Sequence, residues 1–226
     1  QRLTAPDILI LFSLDGTEEA HRRFRPPHQE GDLNHPEAWA ALSESIESLN
    51  ASGARWFMNA VIPPADADGV FKRYQWALAQ HIPALQLNYA VGMEWPKVRV
   101  HGFLKGLMAV LSHHRQHQPK MQLYNWRSEC EPVMLSDDLI VDVDGTVLHD
   151  GAIFLERGFP ELRDSYVRGP LEQRTDFDSC RWTLAKLFTV MCQTYPVNST
   201  KHTTVLQNIR MGAAVDWVIR KMQEDG

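Results

Sequence analysis

An unbroken apolar run, Ile8 to Phe12, changes abruptly to Ser13, Asp15 and Gly16. A run of that length closed by a turn signal predicts a strand buried on both faces, as in a parallel sheet covered by helices. In such sheets the polar residues at the carboxyl end of a strand face the ligand crevice. Ser13 brings a hydroxyl that donates and accepts, and Asp15 brings a carboxylate acceptor. The same residues also fit a plain strand-to-loop turn, and residue types alone leave both readings open. His113 and His117 are separated by one helical turn, a spacing that can ligate a metal. No cysteine or carboxylate stands beside them to complete a shell. A helix tail carrying Arg115, Gln116 and Gln118 predicts a solvated end, as does the polar setting of His28 and His35.

The elements that must position these groups follow a recurring order. After a polar loop, His21 to His35, Pro36 suits the first turn of a helix. Trp39, Leu42, Ile46 and Leu49 then give it one apolar face as far as Ser52, with Gly53 as the stop. A strand, Arg55 to Ile62, closes at Pro63 and Pro64. A helix from Ala65 to His81 follows, weakened at Gly69. The next strand is Ala84 to Ala90, and the next helix His101 to His117. Strand and helix in alternation imply parallel strands with right-handed crossovers. The repeat stops near Gln118. Beyond it, Asp138 to Glu156 reads as short strands turning at Asp144-Gly145 and Asp150-Gly151. Phe159 to Arg174 reads as irregular. Two helices close the chain, Asp176 to Thr194 and Thr203 to Glu224, the first with Leu184, Leu187, Phe188 and Met191 clustered, the second with a stripe of Met211, Val215, Val218 and Met222. The expected division is 1–125 for the βα repeats and 126–226 for the extension.

The 226 residues carry 44% hydrophobic and 23% charged side chains, the balance of an ordinary folded protein rather than a disordered one. A net charge of −5 argues against nucleic acid as partner, because duplex binding draws on a basic face. There is neither an apolar stretch of membrane-spanning length nor a basic-then-apolar leader, so the expected location is cytoplasmic. Cys130, Cys180 and Cys192 form no disulfide framework and no metal-ligand spacing, and they are expected to be buried thiols. A chain that starts at Gln1 and enters a strand within a few residues is expected to be a fragment of something longer.

SLDGTEEAHRRFR resembles a segment of radical SAM enzymes in which Ser, Ile or Leu, Asp and Gly are followed by His and, four residues later, Arg. Those positions are Ser13, Leu14, Asp15, Gly16, His21 and Arg25. RWFMNAVIP, LQLNYAVG and the run from Pro132 through Val141 and Gly145 to Glu156 also resemble members of that superfamily, the peptide-modifying type in particular. The resemblance implies an α/β fold: a partial parallel (β/α) barrel, about half of a radical SAM (β/α)6 core, with a β-hairpin region and C-terminal helices. This chain would supply strands four to six. It implies that Ser13 and Arg25 bind the amino-acid end of S-adenosylmethionine, hydroxyl and guanidinium both suiting a carboxylate. Asp15 would line the substrate cavity. Asn59 and Asn88, near the ends of their strands, would face that cavity unless they face solvent, and Arg25 also fits an ordinary surface arginine. The parent enzyme would bind a 4Fe–4S cluster, cleave S-adenosylmethionine reductively and abstract hydrogen from a substrate, a peptide being one candidate.

The sequence departs from that pattern where the cluster is concerned. Cluster iron is held by thiolates, and the C-x-x-x-C-x-x-C trio of the superfamily is absent, as is its glycine-rich second-strand segment. The chain alone is therefore expected to bind neither cluster nor cofactor. Its exposed apolar sheet edge is expected to promote self-association. Asp142-Val143-Asp144-Gly145-Thr146 also matches the D-x-D-G-T signature of haloacid-dehalogenase-like phosphatases. By that resemblance Asp142 is the nucleophile, Asp144 the general acid and base, and Mg²⁺ the cofactor. Only 80 residues follow and they read mostly as helix, so a hairpin turning at Asp144-Gly145 is expected instead. A non-catalytic binding or assembly module is the third reading.

Overall fold

The structure, a computed structural model, describes residues 8–24, 36–126, 140–148, 158–173 and 184–224. Four parallel strands form the first sheet in the order β1 (Leu9–Ser13), β2 (Arg55–Ile62), β3 (Ala84–Tyr89), β4 (Gln122–Leu123). The crossovers are α2 (Pro36–Ser52), then a 3₁₀ segment Pro64–Gly69 leading into α3 (Val70–Ala79), then α4 (Lys97–His117). α1 (Glu18–Phe24) precedes α2. The fold is thus the partial parallel (β/α) barrel that the resemblance implies, with a separate antiparallel hairpin region and C-terminal helices.

Side-chain alternation across this sheet decides what each face does. Trp56, Met58, Ala60 and Ile62 of β2 are buried, with Leu85, Leu87 and Tyr89 of β3 on the same side. That side meets the helices, since the Tyr89 ring packs edge-on against Phe103 of α4, 6.3 Å between centroids. The opposite side carries Leu9, Leu11 and Ser13 of β1 beside Arg55, Phe57 and Asn59 of β2. There Leu9 is 44% and Leu11 50% exposed. The expectation that β1 is buried on both faces is therefore corrected: it is an edge strand among the described residues, and only Ile10 and Phe12 turn toward partly buried surroundings.

Three more elements differ from expectation for local reasons. His21 to Phe24 is helix, not loop: the Thr17 hydroxyl accepts from the Ala20 N–H at 3.3 Å, Glu18 and Glu19 occupy the first turn, and Arg22 pairs with Glu18 at 2.6 Å. The remainder of the expected loop, 25–35, lies outside the described residues. The repeat does not stop at Gln118 either, because β4 adds two residues beside β3. Behind it Asn125 continues the ladder with its side chain, Oδ1 accepting from the Leu87 N–H at 2.7 Å and Nδ2 donating to the Leu87 carbonyl at 2.8 Å. The expected helix from Ala65 breaks at Gly69, where 3₁₀ gives way to α.

The chain divides into two units, Gln1–Ala90 with Val98–Ser128 and Ile219–Gly226, and Val91–Lys97 with Glu129–Val218. In the second, β5 (Ile140–Val141) and β6 (Thr146–Leu148) form the expected hairpin, and β7 (Val167–Pro170) extends it to three antiparallel strands. β7 and α5 (Arg163–Tyr166) fall within the stretch expected to be irregular. The expected turn at Asp150-Gly151 lies outside the described residues. Helices α6 (Leu184–Thr194) and α7 (Thr200–Glu224) follow. A core of Leu148, Phe159, Leu162, Met191, Tyr195, Val205 and Ile209 holds this unit together. Of the stripe expected along α7, Met211, Val215 and Val218 are buried. The side chains of Leu184, Leu187 and Phe188 lie outside the described ones. Buried Asn208 pins the Val91–Lys97 segment, accepting from the Gly92 N–H at 3.1 Å and donating to the Met93 carbonyl at 2.8 Å. Cys192 is exposed, which corrects the expectation of a buried thiol there: it lies beside Met191 on α6, but on the side turned away from the core. Cys130 and Cys180 lie outside the described residues.

Candidate ligand-binding face

The carboxyl ends of β1, β2 and β3 bring the expected residues into one neighbourhood. Ser13 is in register with Asn59, and Asn59 with Gln86; Val61 is in register with Asn88. Ser13, Asn59, Gln86 and Asn88 therefore share the face turned away from α4. Ser13 is exposed and the three amides are half-buried. Nδ2 of Asn88 donates to Oδ1 of Asn59 at 2.8 Å, which leaves the Asn59 amide nitrogen and the Asn88 carbonyl oxygen directed by a fixed pair. A hydroxyl beside a locked amide pair offers donors and acceptors at short range, suited to a polar ligand such as an amino acid's ammonium and carboxylate.

Asp15 is placed otherwise. It is 2% exposed, and its Oδ1 accepts from the Val61 N–H at 3.4 Å. The Leu14 N–H meanwhile donates to the Asn59 carbonyl at 3.1 Å. The carboxylate thus prolongs the β1–β2 ladder one step past the end of β1. Gly16 follows with φ +97°, and a Cβ there would lie 2.8 Å from Cγ of Arg73. Arg73 is buried and pairs with Asp66 at 2.5 Å. The Asp-Gly step therefore has a structural reason of its own: backbone conformation and a close approach that L side chains do not tolerate. A cavity of about 60 Å³ behind this turn is lined by Thr17, Ala20, Arg23, Asp66 and Arg73, not by Ser13, Asn59 or Asn88. Arg25 lies outside the described residues.

Gln86 is the residue of this face that sequence reasoning omitted. Its signal was present in Leu85-Gln86-Leu87-Asn88-Tyr89, where apolar and polar residues alternate as they do in a strand with one buried side.

The acidic pair of the second unit sits at a hairpin turn. The Asp142 N–H donates to the Thr146 carbonyl at 2.8 Å and the Gly145 N–H to the Asp142 carbonyl at 2.9 Å. Asp142 also pairs with Arg163 at 3.3 Å. Oδ1 of Asp144 accepts from the Thr146 N–H at 2.8 Å, and chiefly that bond holds its carboxyl below the usual range. The strands that flank it are short and antiparallel, so Asp144-Gly145 forms the expected hairpin turn.

Among the described residues no group of three His, Cys, Asp or Glu side chains converges on a metal position. Cluster iron needs thiolates, and the one described cysteine, Cys192, is exposed on α6. The described residues do not fit a 4Fe–4S cluster. No helix among them is long and apolar enough to cross a membrane.

The fold defined by this sheet and its crossovers is similar to that of solved structures of one enzyme. Native anSMEcpe with bound AdoMet, an anaerobic sulfatase-maturating radical SAM enzyme, superposes with a TM-score of 0.61 over 95% of this chain and 68% of its own, at 14% identity. Native anSMEcpe with bound AdoMet and the Cp18Cys peptide gives 0.61 over 96% of this chain and 70% of its own, also at 14% identity. With the Kp18Cys peptide the values are 0.56, 87% and 52%, at 16% identity. No family model and no curated protein matches the sequence.

Proposed function

We propose that this chain is a fragment or natural half of a radical SAM enzyme, and that on the face bearing Ser13, Asn59 and Asn88 the Ser13 end is its share of an S-adenosylmethionine site while Asn59 and Asn88 line the neighbouring substrate cavity. The observation that carries the reading is the convergence of Ser13 with the hydrogen-bonded Asn59 and Asn88 at the ends of consecutive parallel strands. The likeness in fold to a radical SAM enzyme solved with AdoMet agrees with it. Ser13 would bind the amino-acid end of the cofactor, with Arg25 as its charged counterpart, and Asp15 would shape the neighbouring substrate cavity from within the sheet. The βα portion, 1–125, would hold this half-site and 126–226 the extension. The cluster would come from another polypeptide segment, since the residues here do not suit it, and this chain alone would be inactive. Peptides are the substrate class we favour, because the similar structures include two peptide complexes. The exposed Leu9 and Leu11 on the free edge of β1 would meet that missing segment, or a second copy in its absence.

The test is the coding sequence that precedes the codon for Gln1, followed by anaerobic reconstitution of the full product with iron and sulfide. The reading expects a C-x-x-x-C-x-x-C upstream and release of 5′-deoxyadenosine from S-adenosylmethionine. A start codon directly before the Gln1 codon, with no cluster-bearing partner reading frame, would overturn it. Titration of S-adenosylmethionine into this chain alone should give little or no heat.

A further inference from the structure

The turn that follows β1 closes onto a side chain of α3. Gly16 has φ +97°, and a Cβ there would lie 2.8 Å from Cγ and 3.3 Å from Cβ of Arg73. The arginine stem therefore fills the space that a side chain would take. Beyond that contact the guanidinium reaches Asp66, in the 3₁₀ segment that follows β2, with Nη2 2.5 Å from Oδ2. Gly69 leaves it room, since a Cβ there would overlap Nη1 and come 2.8 Å from the same carboxylate oxygen. One side chain thus spans the loops that leave the two strands carrying Ser13 and Asn59.

Arg73 is 2% exposed, and its Nε finds no acceptor among the described residues. A charge buried on those terms is a poor source of net stability, even when paired. The geometry supplies another reason for it. The cavity of about 60 Å³ that Arg73 and Asp66 both line gives the stem room to swing, and the ion pair takes that freedom away. The turn backed by the stem carries Asp15, whose Oδ1 accepts from the Val61 N–H at 3.4 Å. We propose that Arg73, anchored by Asp66, is a positioning residue: its stem holds the Asp15-Gly16 turn against the end of β2 and so fixes Ser13 beside Asn59 and Asn88. The inference rests on the reading of the Ser13 end of this face as part of a cofactor site, and it names the group outside the site that keeps it in place.

Binding of S-adenosylmethionine to the product of the complete reading frame, with amide hydrogen exchange on the same protein, tests this. Arg73→Met keeps the stem and loses the anchor, leaving a carboxylate that water can still reach. It should bind about tenfold more weakly, the cost of a misdirected hydrogen bond to a charged ligand group. Asp66→Ala cuts the same anchor from its more exposed end and should weaken binding likewise. The contact to Asp66 is a single one rather than a fork, so Arg73→Lys should restore most of the loss. Leu123→Ala, which opens a buried site on β4 two strands from β2, should lower stability and keep the parental affinity. Exchange at the Val61 N–H should quicken in Arg73→Met by more than exchange at Leu87, whose N–H is held by Asn125. A parent that does not bind the cofactor would overturn the reading of the face, and the exchange comparison would then decide on Arg73 by itself. Where the parent binds, parental affinity in Arg73→Met or Asp66→Ala, no recovery in Arg73→Lys, or an equal loss in Leu123→Ala would overturn the proposal. Equal quickening at Val61 and Leu87 would overturn it in either case.

Discussion

The Asp15 carboxylate, 2% exposed, takes the place of a missing strand residue by accepting from the Val61 N–H. Removing that acceptor leaves a buried backbone donor to find another partner, which costs about 1–3 kcal/mol. Asp15→Ala should therefore lower the stability to urea by about that amount. Asp15→Asn, which keeps a carbonyl oxygen in place, should lose less than half as much. Equal losses in the two variants would show that the negative charge matters, not the acceptor. Ser13 and Asp15 could be picked out from sequence because polar residues directly follow an apolar run. Their directions could not: two residues apart, they would share a face if the strand ran on, but β1 ends at Ser13, so Ser13 lies with the amides while Asp15, past the strand end, is folded back into the ladder.

Elements with many residues in one pattern were legible, and those with few were not. α2, β2 and β3 each span enough positions to display a period, whereas β4 has two residues and owes its place to Asn125, whose side chain mimics a strand neighbour. β1 misled because an apolar run records what a strand is made of, not what covers it. Helix contacts were equally silent. A Cβ at Gly106 of α4 would fall 2.7 Å from Cβ of Val70 in α3, so Gly106→Ala should destabilise the protein by about 1–3 kcal/mol, against the usual gain in an exposed helix position. Thermal unfolding of that variant, with Gly158→Ala as a site where an added Cβ meets nothing within 4 Å, checks the contact. In the second unit Glu161 accepts from Lys201 at 2.5 Å and from the Tyr195 hydroxyl at 2.8 Å. Chiefly the Lys201 bond pulls its carboxyl down from 4.5 to about 2. A lowered folded value means that the unfolded chain binds the proton first, so this contribution is complete above about 4.5 and fades as pH falls toward 2. The acid limb of stability against pH should be shallower in Glu161→Gln than in wild type between those values.

For the molecule as a whole, strand–helix alternation was enough to read parallel strands with right-handed crossovers, and the partial barrel came from the resemblance of the Ser13 to Arg25 segment. The antiparallel sheet was only half read: Asp144-Gly145 signalled its hairpin, but β7 pairs with β6 across an intervening stretch whose separation no local pattern reveals. The acidic pair sits at that hairpin turn, while the polar face of the parallel sheet gathers Ser13, Asn59 and Asn88. The measurement that bears most directly on this face is equilibrium binding of S-adenosylmethionine to the product of the complete reading frame, comparing Ser13→Ala and Asp142→Asn with the parent. Loss of a hydrogen bond to a charged ligand group predicts about tenfold or greater weakening in Ser13→Ala, and Asp142→Asn should bind as the parent does. Parental affinity in Ser13→Ala would contradict the assignment of this face to the cofactor.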